Sequence, residues 1–120
     1  MTKPSILLSI PKGTTYRKTF IWKTGPEAGP YTPVDLTGYT GRIHFREDIL
    51  SSTISLSIVT GTSSLVFSGN TGTITVLLTP EQSNSLPTNG VYDIEVTTGA
   101  GEISRPFGGT YNAFRGVTHD

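Results

Sequence analysis

From Tyr39 to Arg46 the chain alternates without interruption. Tyr39, Gly41, Ile43 and Phe45 share one parity, and Arg42, His44 and Arg46 share the other. Successive side chains on an extended strand point to opposite faces, so this pattern builds a half-buried strand rather than a helix. The same period recurs along the chain. Val91 to Thr98, VYDIEVTT, puts Tyr92, Ile94 and Val96 inward and Asp93 and Glu95 outward. Thr73 to Leu78 brings Ile74, Val76 and Leu78 inward, and Thr53 to Val59 sets Ile54, Leu56 and Ile58 against serines. In Thr14 to Trp22 the parity of Tyr16, Phe20 and Trp22 faces the core, with Lys18 as an exception near an edge. Ser5 to Ile10 forms a first extended piece, and Leu65 with Phe67 marks a short strand inside a hairpin over Gly61 to Leu78.

Between these segments lie turn signals at intervals of about ten residues, the spacing of an all-β sandwich. Pro33-Val34-Asp35-Leu36-Thr37-Gly38 reads as a chain reversal: proline fixes φ, Asp35 bonds forward backbone N–H groups, and Gly38 supplies positive φ. Lys23 to Pro33, with three prolines and two glycines, is expected to be the longest loop and to stay out of any ladder. One helical turn is expected near residues 80–85. Thr79 can cap it, Pro80 suits its first position, Gln82 completes the capping-box spacing, and Pro87 closes it. Gly108-Gly109 permits a bend before a last extended piece, Thr110 to Phe114. The expectation is an immunoglobulin-like antiparallel β-sandwich of about seven to nine short strands, with a small barrel as the alternative.

At 120 residues the chain is one domain, 1–120, with an N-terminal arm or strand over 1–12, the Pro/Gly-rich loop over 23–33 and a C-terminal extension over 108–120. Nine basic residues balance nine acidic ones, so no global field attracts nucleic acid or an anionic membrane. Zero net charge favours association. The lack of cysteine rules out disulfides and thiolate chemistry. The longest apolar run is too short to span a membrane as a helix, and the proline-bracketed start does not read as a signal peptide.

Candidate chemistry is sparse. His44 lies between two arginines at i±2, which disfavours both a protonated imidazole and a bound cation. His119 stands next to the last residue and reads as an ordinary terminal histidine. Asp93 and Glu95 share the solvated parity of their strand, and no nucleophile elbow, phosphate cradle or metal-ligand spacing occurs. The expectation is therefore no enzyme, no cofactor and no small-molecule substrate. Binding residues remain. Arg42, His44 and Arg46 can pair with a partner, or with Asp93 and Glu95 if the two strands are neighbours. Tyr31 on the long loop, and Tyr111, Phe114 and Arg115 near the C terminus, are expected to anchor in another subunit.

In order, YRKTFIWKTG, VDLTGYTGRIHFRED and GTITVLLTPEQSNSLPTNGVYDIEV resemble a family of small tailed-phage virion proteins. The resemblance runs over roughly residues 13 to 110 and extends to the N-terminal attachment domain of phage upper baseplate proteins. It implies an immunoglobulin-like sandwich with a structural role in the virion. The protein would be made in the host cytoplasm, present in multiple copies by symmetry, and in contact with other tail, baseplate or fibre subunits. A capsid decoration or head-fibre protein is the alternative, and a host-glycan-binding module a third. The sequence departs from the family at Pro106 to Tyr111, where apolar strand residues are expected. Pro106 removes a ladder donor, so the final strand is expected at an edge or broken.

Overall fold

A computed structural model describes residues 5–25 and 29–116. His119 and the outer parts of the expected arm and extension lie outside that range. Among the described residues ten strands, one short α-helix and a single 3-10 turn, Gly69–Thr71, follow in order. The strands are β1 Leu8–Pro11, β2 Tyr16–Ile21, β3 Lys23–Thr24, β4 Thr32–Pro33, β5 Thr40–Arg46, β6 Leu56–Val59, β7 Leu65–Ser68, β8 Thr73–Leu78, β9 Asn89–Thr97 and β10 Ile103–Phe114. The helix α1, Pro80–Asn84, lies between β8 and β9.

The local chemistry that sets these elements is the chemistry anticipated. Asp35 accepts from the N–H and hydroxyl of Thr37 at 3.0 and 2.6 Å, and Gly38 takes φ 79°, which delivers the chain into β5. At α1 the hydroxyl of Thr79 accepts from the Gln82 N–H at 3.2 Å, and the Gln82 side chain accepts from the Thr79 N–H at 2.8 Å. Both halves of the capping box are present. Ser83, fully buried, accepts from the Thr14 N–H and donates to the Thr14 carbonyl, tying α1 to the start of β2.

Two main sheets form the layers. One has the order β1-β10-β9-β5-β6, and the other β2-β8-β7. This is an immunoglobulin-like arrangement: β5, β9 and β10 take the places of strands C, F and G, β6 that of C′, and β2, β7 and β8 those of B, D and E. Phe45, Tyr92, Ile94, Val96, Phe107 and Tyr111 of the first sheet meet Phe20, Ile74, Val76 and Leu78 of the second in one core. Phe20 bridges the layers, with its ring centroid 5.0 Å from Phe107 and 6.4 Å from Tyr92. The alternation of β5, β8 and β9 is borne out residue by residue. Lys18 is the exception expected: it lies on edge strand β2 and places its ammonium 5.9 Å from the Phe20 ring centroid.

Five expectations need correction. The sandwich is not wholly antiparallel, because β1 pairs parallel to β10, Leu8 opposite Tyr111. The Pro/Gly-rich segment does enter a ladder, since Lys23–Thr24 pairs with Thr32–Pro33 in a separate two-stranded ribbon. Proline is tolerated there because a two-residue edge needs no donor from it. Ile54 does not turn inward: β6 starts only at Leu56, and Ile54 is 39% exposed. Gly108-Gly109 does not divide the final strand, which runs unbroken from Ile103 to Phe114. Pro106 sits in a register shift between Ser104 and Phe107, where the β9 ladder asks for no N–H from it. Beyond the shift the strand is internal to the sheet, covered on its other side by β1 and by the Ile6 N–H to Gly108 carbonyl bond at 3.0 Å. The fifth, Tyr111, concerns the candidate site.

Candidate interaction face

The outer face of the five-stranded sheet gathers most of the charge-bearing residues singled out in the sequence. β5 and β9 are neighbours, so Arg42 stands opposite Glu95, His44 opposite Asp93 and Arg46 opposite Val91. Of the conditional pairings, the one between Arg42 and Glu95 is realised. Arg42 donates from Nε to Glu95 Oε1 at 3.1 Å, with Nη2 at the same distance. Arg105, which the sequence reading did not single out, reaches over from β10. Its Nη2 donates to Glu95 Oε2 at 2.8 Å, and its Nε lies 3.7 Å from Asp93 Oδ2. One carboxylate is thus clamped by two guanidiniums, one on each oxygen. The parity of β10 would have exposed Arg105, had the neighbourhood of β9 and β10 been drawn and the bulge at Pro106 foreseen.

Arg46 behaves differently. Its Nη1 donates to the Ser51 carbonyl at 2.9 Å in the β5–β6 loop, and no carboxylate among the described residues pairs with it. His44 sits between the arginines. Partial burial, then the charges of Arg42 and Arg46, hold its pKa below the ordinary histidine value against the opposing pull of Asp93 and Glu95. A neutral imidazole at neutral pH follows.

Together these side chains line a concavity of about 510 Å³, with Ile49, Val91 and Thr110 as its less polar wall. Ile49, 83% exposed, belongs to that wall, and Leu50, next to it in the chain, is 91% exposed. The arrangement suits recognition of a surface with charged and aliphatic groups side by side. Both oxygens of Glu95 are already occupied by guanidinium donors, so this carboxylate is held as an ion-pair partner. Among the described residues no group of three or more His, Cys, Asp or Glu is placed to hold a metal ion.

The other sequence candidates do not join this face. Tyr31, half exposed, lies by the small β3–β4 ribbon. Phe114 and Arg115 are exposed at the end of β10, and neither lines the concavity. Tyr111 is corrected outright: it is 1% exposed, packs its ring edge-on to Phe45 at 5.4 Å, and cannot anchor in a partner. Its parity on an unbroken β10 points it into the core, a consequence hidden by reading residues 108–114 as a loose extension. No protein-family model and no curated protein sequence matches this chain.

Proposed function

We propose that the chain is a structural protein of a bacteriophage virion, a tail, baseplate or fibre-attachment subunit that joins neighbouring subunits and performs no catalysis. The resemblance of the ordered strand motifs supplies the virion. The observation that carries the assembly role is the outer face of the five-stranded sheet. There a three-strand platform holds Arg42, Arg46 and Arg105 beside Asp93 and Glu95, with the exposed Ile49 lining the same concavity and the exposed Leu50 next to it in the chain. Exposed apolar groups next to an ordered charge array are the makings of a protein interface. Its mechanism is passive: a sandwich offers fixed surfaces, and repetition by symmetry adds modest contacts into a stable particle.

Placement on the head, as a decoration or head-fibre protein, uses the same surfaces. The glycan-binding reading is weakened by the aromatic residues it would use. Trp22 packs partly buried against the core and Tyr111 is buried, which leaves Tyr31. Mass spectrometry of purified particles, followed by cryo-electron microscopy, tests the proposal. The chain is expected in particles at a symmetric tail or baseplate position. Its absence from particles, or turnover of a small molecule by the purified chain, overturns the reading.

A further inference from the structure

We infer that the concavity on the five-stranded sheet docks a second copy of this chain, receiving that copy's Glu47–Leu50 turn while its own turn enters the partner's concavity. The inference rests on this face being an assembly surface and is independent of where in a particle the protein sits.

Three observations converge on this occupant. The first is the turn itself. Ile49 and Leu50 are consecutive and are the two most exposed large apolar side chains among the described residues, so they present adjoining apolar surface to solvent. The turn is nonetheless braced. The Leu50 N–H donates to Asp48 Oδ1 at 2.8 Å, the Ser51 N–H to the Asp48 carbonyl at 3.1 Å, and Arg46 holds the Ser51 carbonyl from below. The backbone of the turn is therefore largely ordered before docking, which lowers the entropy cost of binding.

The second is charge. The concavity carries three guanidiniums, Arg42, Arg46 and Arg105, against the two carboxylates Asp93 and Glu95. The surplus is at Arg46, whose bond to a carbonyl leaves its charge without a carboxylate among the described residues. The turn carries the opposite sign in Glu47 and Asp48, directly before its two aliphatic residues. A carboxylate beside an aliphatic side chain is what a cleft lined by Arg46, Val91 and Ile49 would accept.

The third is adjacency. Ile49 lines the concavity of its own chain, so turn and concavity form one continuous patch. A patch holding both halves of a complementary pair closes by a two-fold axis, each half meeting its counterpart on the other copy. Zero net charge on the whole chain removes the long-range repulsion that would oppose such pairing.

Sedimentation equilibrium of the full chain from micromolar to millimolar concentration, at low and high salt, reads the result. A monomer–dimer equilibrium that weakens with salt is expected. Leu50→Asp, Arg46→Glu and Glu47→Arg should each raise the dissociation constant by about tenfold or more. Since Arg46 also braces its own loop, the deciding measurement mixes Arg46→Glu with Glu47→Arg. Charges are then complementary at both contacts of the mixed dimer, and it should form more tightly than either variant alone. A wild-type chain that stays monomeric, a dimer indifferent to these changes, or a mixture without rescue overturns the inference. A monomer that instead binds a different virion protein through Leu50 also overturns it, while leaving the proposed role intact.

Discussion

Gly90 stands directly opposite Tyr111 in the β9–β10 ladder, and the tyrosine ring lies across the space that a side chain at position 90 would fill. A Cβ there would come within 2.5 Å of Tyr111 Cε2 and would press on the Arg46 carbonyl of β5. The ring is fixed by its edge-on contact with Phe45, so neither neighbour can give way cheaply. Gly90→Ala should therefore destabilise the fold by about 1–3 kcal/mol. Urea denaturation checks this: the midpoint should fall with the slope unchanged.

The Tyr111 hydroxyl makes a second, opposite prediction. It is buried and has no hydrogen-bond partner in good geometry. Burial and then the Glu47 charge push its ionisation above the ordinary phenol range, outweighing Ser55. Removing an unsatisfied buried hydroxyl removes a desolvation cost of about 1–3 kcal/mol, so Tyr111→Phe should be neutral or stabilising. Tyr111→Ala should cost about 3–5 kcal/mol, because it empties a core site. Thermal denaturation of the two variants separates a packing role from a polar one.

Period-two patterning made β5, β8 and β9 legible because each has one face in the core and one in solvent, and the alternation records that difference directly. The same reasoning placed Arg42, His44 and Arg46 beside one another on an outer face. It could not say which strand lies alongside, since pairing between distant segments leaves no local trace. Arg105 entered the site through such a pairing and was missed. Pro106 was over-read: a bulge absorbs the missing donor, and the strand continues into the sheet interior with Tyr111 facing the core. Ile54 failed for the converse reason, as its alternation extends two residues beyond the point where pairing with β5 begins.

Tyr92 ties the first described residues to the core by donating its hydroxyl to the Ile6 carbonyl at 2.7 Å. Tyr92→Phe should cost about 0.5–1.5 kcal/mol. Amide exchange should quicken most at Ile6, whose N–H is held by Gly108 on the same stretch. Burial, helped by Tyr16, raises the folded-state ionisation of Tyr92 well above that of a free phenol. The protonated form is thus favoured by folding. That stability is whole below about pH 10, the unfolded value, and is lost as pH rises beyond it. The alkaline decline should be shallower in Tyr92→Phe.

Glu95→Gln leaves Arg42 and Arg105 side by side without the carboxylate that both bind. Exposed ion pairs are worth about 0–1 kcal/mol each. Glu95 is the more buried partner, its side chain 13% exposed, so a combined loss of about 1 kcal/mol is expected at low salt. The loss should shrink at high ionic strength, since both arginines face solvent. Denaturation midpoints at two salt concentrations decide this, and a salt-independent loss would point to packing instead.

His44 gives the face a dependence on acid. Its pKa is lowered in the folded chain by burial and by Arg42 and Arg46, so folding favours the neutral imidazole. The sign follows: the contribution is fully present above the unfolded value near 6.5 and declines as pH falls through and below it, toward the lowered folded value. His44→Gln removes that part of the acid limb, and the stability profile between pH 7 and pH 5 should become flatter than that of the wild type. NMR titration of the imidazole carbons reports the same quantity independently. A midpoint at or above the free-histidine value would mean that Asp93 and Glu95, rather than the two flanking arginines, govern the charge on this strand.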